Sequence, residues 1–186
     1  MACDLSLGRK VPCKDVVGGI KAVYFIDYGD ISISYDATDT DLIEDLGAVT
    51  AYKYELKGNS SFEQTFTSSR ENGTTFFEQT LNLTLTKLTK EDHKELKLMA
   101  WGRPVVVIHD FNGNAFLMGA EHGAEVSGGT IVTGGAMGDL SGYTLTLSAQ
   151  EQTPANFLEG ATEADPFGGL TSTVTVTVGT NSIILI

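Results

Sequence analysis

A long β-hairpin is encoded by residues 61–84, SFEQTFTSSRENGTTFFEQTLNLT. Apolar and polar side chains alternate on both sides of Asn72-Gly73, which is the period of a strand with one buried face. Asn and Gly tolerate the positive φ that a two-residue hairpin turn needs at both positions. Such a turn pairs Glu71 with Thr74. The resulting ladder predicts an apolar face of Phe62, Phe66, Phe77, Leu81, Leu83 and Leu85, and a polar face of Glu63, Thr65, Thr67, Thr80, Asn82, Thr84 and Thr86.

The same alternation predicts strands in other parts of the chain. Residues 143–149 and 173–178 alternate hydroxyl and apolar side chains, so both are predicted to be half-buried strands. Residues 20–26 form a more continuous apolar run, as expected of a strand covered on both faces. Further strands are predicted at 49–56 and 105–108. Asn112-Gly113 predicts a second hairpin, between residues 105–110 and 114–118.

One helix is predicted between Thr89 and Gly102. Thr89 is a suitable N-cap, acidic residues follow in the first turn, and glycine supplies the stop. Leu96, Met99 and Ala100 form a short apolar face that would pack on a sheet. The predicted fold class is therefore mainly β, a β-sandwich or barrel with one flanking α-helix.

The chain of 186 residues is predicted to be a single β domain over residues 1–186. Residues 1–18 would form an N-terminal arm. Residues 127–142 are rich in glycine but keep apolar side chains, so a loop that lies against another subunit is expected there. Residues 150–169 are predicted to form an acidic loop with Pro and Gly.

The first residues contain no continuous apolar core of a signal peptide, and no stretch approaches the ~20 apolar residues of a membrane span. A protein assembled in the cytoplasm, with no membrane partner, is expected. Cys3 and Cys13 lack the neighbours of a zinc site, and a disulfide between them would require an oxidising compartment.

The charge is unevenly distributed along the chain. The net charge is −12, and residues 104–186 contain no Lys or Arg. Residues 22–52 form a second stretch without cations that carries many carboxylates. Surfaces that bind nucleic acid or anionic membrane gather cations, so this pattern argues against such binding. A role in solubility alone remains an alternative.

The chain contains no recognisable catalytic or metal motif. His93, His109 and His122 are scattered without a nucleophile or ligand spacing beside them. Residues 110–114, DFNGN, resemble part of a calcium loop, but the glycine is in the wrong position and a hairpin turn is predicted instead. Trp101 is interpreted as a packing anchor. No enzyme activity, catalytic residue, cofactor or metal is therefore predicted.

Residues 128–147, GGTIVTGGAMGDLSGYTLTL, with Glu151 and Pro154-Ala155 after them, resemble the C-terminal portion of the tail tube (major tail) proteins of long-tailed bacteriophages. This family is related to the inner tubes of contractile injection systems. The resemblance implies a β-sandwich protomer, six of which form a ring, and rings that stack into a tube with an acidic lumen. It also implies a virion protein, assembled in the host cytoplasm, whose partners are itself and other tail proteins such as terminator, tape measure, baseplate or sheath. DNA would pass without specific binding.

Two alternatives to this hypothesis remain open: another phage structural part (head decoration, connector or stopper, or baseplate subunit), or a β-sandwich carbohydrate-binding module. The latter displays exposed aromatic side chains, whereas the hairpin phenylalanines are predicted to lie in the core.

Under the tail tube hypothesis two sets of residues are candidates for function. The candidate lumen acids are Asp27, Asp30, Asp36, Asp39, Asp41, Glu44, Asp45, Asp110, Glu121, Glu125 and Asp139, and the candidate inter-subunit residues are Asn72, Gly73, Ile131, Val132, Met137 and Leu140.

Overall fold

The computed structural model describes residues 8–10, 13–57 and 59–179. Cys3, one of the two cysteines, lies outside this range, and Cys13 is exposed. The described elements are, in chain order, β1 (Ile20–Asp27), β2 (Ser34–Tyr35), β3 (Leu42–Asp45), β4 (Thr50–Glu55), β5 (Ser61–Ser69), β6 (Thr74–Thr86), α1 (Lys90–Trp101), β7 (Pro104–Asp110), β8 (Ala115–Met118), β9 (Glu125–Val132), β10 (Gly142–Glu151), β11 (Asn156–Leu158) and β12 (Thr175–Val178).

The strands form two sheets, which confirms the predicted mainly-β fold with one flanking helix. The large sheet has eight strands in the order β12-β4-β1-β7-β8-β11-β3-β2. The small sheet has four strands in the order β5-β6-β10-β9, and each of its three pairs is antiparallel. The long hairpin predicted over residues 61–84 is the β5-β6 pair.

The core consists of two apolar layers, one on each face of the large sheet. Val23 and Phe25 on β1 face the small sheet, where Leu81 and Leu147 pack against them. On the opposite face of β1, Tyr24 packs edge-on against Phe167, with ring centroids 5.0 Å apart. The prediction that residues 20–26 are covered on both faces is therefore confirmed.

The helix begins and ends where the sequence predicts. The Oγ1 atom of Thr89 accepts a hydrogen bond from the backbone N–H of Asp92 (3.1 Å), and the backbone N–H of Gly102 donates to the carbonyl of Leu98. Leu96 is buried and Met99 packs on the core between the sheets. Trp101 is 75% exposed. The interpretation of this tryptophan as a packing anchor is therefore wrong.

The hairpin register differs from the predicted one by two residues. Ser69 pairs with Thr74, so the turn is a four-residue loop rather than a two-residue turn. Gly73 has a φ of 63°, but Asn72 does not adopt the positive φ that the two-residue turn would require. Because strand faces repeat every two residues, this shift leaves each predicted face unchanged.

One phenylalanine of the predicted apolar face is not in the core. Phe66 is 73% exposed, and its ring contacts that of Phe77 with centroids 6.3 Å apart. Neither ring belongs to the core between the sheets, which reaches this face of β5 only at Phe62. The prediction that these three phenylalanines lie in the core is therefore wrong for Phe66 and also for Phe77, which is half-buried outside that core.

The glycine-rich segment is partly a strand. Residues 127–132 belong to β9 and pair with β10, so the loop is confined to residues 133–141. A Cβ atom on Gly129 would lie 2.5 Å from the carbonyl oxygen of Thr144. Glycine is needed there because the two strand backbones approach closely, and not because the chain turns.

Two further predictions need correction. Residues 150–169 are not wholly a loop, since they contain β11, and Leu158 and Phe167 within them are buried. The strand predicted at 173–178 is present as β12, but all four of its residues are exposed. It is an edge strand beside β4, and the exposure of its residues shows that neither of its faces is covered by a described element.

Leu81 tests the core between the sheets. This side chain is fully buried, so Leu81→Ala is expected to lower the free energy of unfolding by about 2–5 kcal/mol. Leu98→Ala is the matched control, since that side chain is 51% exposed and its loss should change stability by less than about 0.5 kcal/mol. Urea denaturation measures both values, and equal losses would contradict the assignment of this core.

Candidate assembly surface

The small sheet has one face toward the core and one face open to solvent. Strand alternation assigns the side chains to these faces, and the pairing of the four strands aligns them in rows. The outward positions are Ser61, Glu63, Thr65, Thr67 and Ser69 on β5; Thr74, Phe76, Glu78, Thr80, Asn82, Thr84 and Thr86 on β6; Thr144, Thr146, Ser148 and Gln150 on β10; and Glu125, Gly128, Thr130 and Val132 on β9.

This outward face is rich in hydroxyl groups that bond to one another across the strands. The Oγ1 atoms of Thr130 and Thr144 lie 2.6 Å apart, and the hydroxyl of Thr146 donates to the Oδ1 atom of Asn82 (2.9 Å). Such cross-strand polar pairs hold the side chains in place. The face is therefore an ordered polar surface.

The outward face carries negative charge only. None of the four strands of the small sheet contains Lys or Arg. Glu63, Glu78 and Glu125 are exposed on this face. A polyanion that approached the sheet would meet carboxylates and hydroxyls, with no cation in the strands to hold it.

Both edges of the small sheet are unpaired within the described residues. The edge strands are β5, with nine residues, and β9, with eight. Neither contains the proline or lysine with which many proteins block an open sheet edge, and each carries a single charge, Glu63 or Glu125. Each edge therefore offers backbone N–H and C=O groups to another strand.

The predicted inter-subunit residues lie near these edges. Asn72 and Gly73 are exposed at the tip of the β5-β6 hairpin. Ile131 on β9 and Met137 in the following loop are exposed apolar side chains. Val132 and Leu140 are half-buried. Their role in subunit contact remains a prediction.

The predicted lumen acids lie on separate elements, and several have a local role in the fold. The Oδ1 atom of Asp36 accepts hydrogen bonds from the backbone N–H groups of Thr38 and Asp39, which shape the turn before β3. The Asp45 carboxylate accepts bonds from the hydroxyl and backbone N–H of Ser172, and these bonds hold its pKa below the usual value.

Asp110 and Asp139 shape two other turns. Asp110 accepts hydrogen bonds from the backbone N–H groups of Asn112 (2.9 Å) and Asn114 (2.8 Å), so residues 110–114 form the predicted hairpin turn. Asp139 accepts from the backbone N–H groups of residues 135 and 136 and folds the glycine-rich loop. Of the predicted lumen acids, Glu125 lies on the outward face of the small sheet.

Sequence reasoning missed a buried polar anchor. Glu151 is almost fully buried, and its Oε1 atom accepts hydrogen bonds from the backbone N–H groups of Glu121 (3.2 Å) and His122 (3.0 Å). Its Oε2 atom lies 3.0 Å from Nδ1 of His122. Nearby, the Oε1 atom of buried Gln79 accepts from the backbone N–H of Gly119. These bonds attach the loop between β8 and β9 to the small sheet.

The anchor also contains the one candidate metal cluster found among the described residues. Ligand atoms of Glu121, His122 and Glu151 lie within 4.8 Å of one another. Both Glu151 oxygens already bond to the chain, so the arrangement is explained as a loop anchor. The inward position of Glu151 in an alternating strand is the sequence signal that could have identified it, since the other inward residues of β10 are apolar.

A second open surface is a groove of about 540 Å³ between α1 and the large sheet. Phe25 and Tyr54 meet edge-on at its base, with centroids 5.1 Å apart, and burial together with Glu95 and Asp92 raises the pKa of Tyr54 to about 12. We call this surface the aromatic groove; its apolar and aromatic lining is Phe25, Tyr28, Tyr52, Tyr54, Leu98, Met99 and Trp101.

Comparisons with known proteins give a weak structural likeness. No family model matches the chain, and no curated protein does. Among solved structures, a chain of the "Virion of native gene transfer agent (GTA) particle" has a TM-score of 0.36 and 7% identity. The match covers 70% of this chain and 97% of that chain. A likeness of this degree does not by itself establish a shared fold or function.

Among the described residues, no helix has the length and apolarity needed to cross a membrane.

His122 makes the loop anchor sensitive to pH. Its hydrogen bond to Glu151 and the charges of Glu151 and Glu121 raise its pKa, against a smaller opposing effect of Arg103. Because the folded pKa is raised, the stabilisation is complete below the ordinary imidazole pKa and is lost as pH rises through the folded value. Thermal unfolding between about pH 6 and 9 should therefore show a falling melting temperature.

His122→Ala is expected to remove this part of the pH dependence. His93→Ala, at an exposed helix position, is the control and should retain it. An unchanged pH profile in His122→Ala would contradict the role of the pair.

Proposed function

We propose that this chain is a structural virion protein of the tail tube kind, which assembles into hexameric rings that stack into a tube for the genome. The observation that carries the proposal is the small sheet. Its two edges are unpaired in the described structure, and its open face carries hydroxyls and carboxylates without a cation. The number of six copies in a ring is inferred from the resemblance of residues 128–147 to tail tube proteins.

Pairing between copies would satisfy both edges at once. The four strands alternate in direction, so β5 and β9 run in opposite directions. Rotation about a ring axis keeps the strand directions, so β5 of one copy would pair antiparallel with β9 of the next. This contact is head-to-tail and closes when the rotation completes a circle. Six copies would form one continuous barrel without a free edge.

The outward face of the small sheet would then line the channel. The large sheet covers the other face, so it would lie on the outside of the ring. Glu63, Glu78 and Glu125 would repel the DNA phosphates, and the absence of Lys and Arg from these strands would prevent retention by counterion release. DNA would pass without specific binding.

The remaining parts of the proposal follow from the same assembly. The protein would be located in the virion after assembly in the host cytoplasm. Its partners would be further copies of itself and other tail proteins at the ends of the tube or around it, such as terminator, tape measure, baseplate or sheath. It would have no catalytic residue and no cofactor. Another phage structural part could use the same surfaces in a different ring.

A second candidate is a carbohydrate-binding module, and the aromatic groove favours it. Tyr28, Tyr52 and Trp101 are exposed there beside the charged residues Asp27, Glu95 and Arg103. Aromatic faces next to polar groups suit sugar rings. A glycan screen that follows the emission of Trp101, the single tryptophan of the chain, tests this candidate.

Phe66→Asp tests the edge contact. Phe66 is an exposed apolar residue on edge strand β5, so a charge there should raise the concentration for half-assembly at least tenfold, about 1.4 kcal/mol per contact. Val16→Asp is the control, since Val16 is similarly exposed but lies before β1. Sedimentation and negative-stain microscopy measure assembly. A wild-type protein that stays monomeric at every concentration, also with tail partners, would refute the proposal.

Charge reversal tests the lumen. The triple variant Glu63→Lys, Glu78→Lys and Glu125→Lys should still assemble, but its tubes should retain double-stranded DNA in a salt-sensitive manner. A triple variant with the same charge change on the large-sheet side, Asp30→Lys, Asp41→Lys and Glu44→Lys, is the control, since these three residues are exposed. Equal DNA retention in both variants would show that the small sheet does not line the channel.

A further inference from the structure

The aromatic groove is an exposed apolar surface that no described part of the chain fills. Trp101 is 75% exposed, Leu98 51% and Tyr52 43%. Leu98 and Trp101 lie three residues apart on α1 and therefore point to the same side of the helix. Soluble proteins rarely leave several large apolar side chains converging on one cavity unless something binds there.

Two aromatic residues that line the groove are held by contacts with cations, one of them from the lining itself and one from the neighbouring Lys97. The guanidinium of Arg103 lies over the Tyr28 ring, 5.1 Å from its centroid, and Nζ of Lys97 lies 4.8 Å from the centroid of Trp101. Each cation covers one face of an aromatic ring and leaves the rest of the ring available. The groove is therefore preformed, which lowers the cost of binding.

A segment with suitable chemistry follows β12. Residues 180–186 lie outside the described structure, and their sequence is TNSIILI. The segment contains no charged side chain, and residues 183–186 are all aliphatic. Transfer of four consecutive aliphatic residues out of water lowers the free energy, and the aromatic groove, of about 540 Å³, has an apolar and aromatic lining that could receive them.

The strand directions determine which copy of the groove this segment can reach. β12 runs parallel to β4, from Thr175 opposite Thr50 to Val178 opposite Lys53. The groove opens at the end of the large sheet where β1 finishes and β7 begins, with Asp27 paired to Pro104. β12 starts at this end and runs away from it. β12 thus ends beside Lys53, away from Asp27 and Pro104.

We propose that residues 183–186 of one copy bind in the aromatic groove of a second copy. The segment leaves one end of the large sheet and the groove opens at the other, so the contact is head-to-tail and adds copies along the strand direction. Binding within one copy would require the chain to reverse its direction after β12, since β12 runs away from Asp27 and Pro104. The inference deepens the proposed function, since it supplies a contact between stacked rings.

Two complementary variants test the contact. The tail variant Ile184→Asp with Leu185→Asp keeps the groove and its tryptophan. The groove variant Leu98→Asp with Trp101→Ala keeps the tail and has no tryptophan, because Trp101 is the single one in the chain. Both groove positions are exposed, so the fold should be retained, which circular dichroism checks.

Mixing the two variants is expected to shift the emission of Trp101 to shorter wavelength, with saturation at one tail per groove. Neither variant alone should show the shift. A third variant with all four substitutions, mixed with the tail variant, is the control and should leave the emission unchanged. A soluble peptide carrying residues 179–186 should reproduce the shift in the tail variant, and its Ile184→Asp form should bind at least tenfold more weakly.

Several outcomes would overturn the inference. The first is an emission that changes neither on mixing the two variants nor on adding the peptide. The second is a wild-type emission that is already shifted at every dilution and that mixing does not change, because a shift independent of concentration indicates binding within one copy. A shift with glycans but not with the tail would assign the groove to sugar.

The test separates this inference from the proposed function. Wild-type rings that form while mixing has no effect would refute the tail contact alone. A tail contact in a protein that never forms rings would refute the proposed function alone.

Discussion

The rest of the structure depends on the packing of the small sheet against β1 and β7. Side chains in its strands alternate between the two faces, and only one face packs on this core. Leu81, Leu83 and Leu147 face inward and are fully or almost fully buried. Every alternate residue must then point away from the core. Because no described element covers that side, most of the outward residues carry hydroxyl, amide or carboxylate groups. The polar face that would line a channel is thus a direct consequence of the packing of the core.

Burial of polar groups at the end of this core has a second consequence. Glu151 and Gln79 occupy inward positions that apolar residues fill elsewhere on the same strands. A buried carboxylate is costly unless it is fully hydrogen-bonded, and here backbone N–H groups and His122 satisfy it. The loop between β8 and β9 is consequently tied to the small sheet. The two sheets are joined by polar contacts at this end as well as by the apolar core.

The open edges, the aromatic groove and the exposed apolar side chains are all costs for an isolated chain. Unpaired strand edges promote association, and the exposure of aromatic side chains to water is unfavourable. A monomer that functioned alone would be expected to block its edges with lysine, proline or a covering loop. β5 and β9 contain neither lysine nor proline, and no described strand pairs with their outer edges, as the proposed assembly requires.

Local patterning alone determined the mainly-β class, the helix from its Thr89 cap to Gly102 and the face of each hairpin residue, because these depend on neighbours a few positions away. The cation-free second part of the chain was also evident from the sequence. Only the tertiary structure decided the hairpin register, since a two-residue slip preserves the alternation. It also decided that Gly129 lies in a strand, where a close backbone approach requires glycine. The inward position of Glu151 follows from its strand, but the groups that satisfy its buried carboxylate come from a distant loop. The exposure of Phe66 and Trp101 likewise depends on contacts between distant parts of the chain, which no local pattern records.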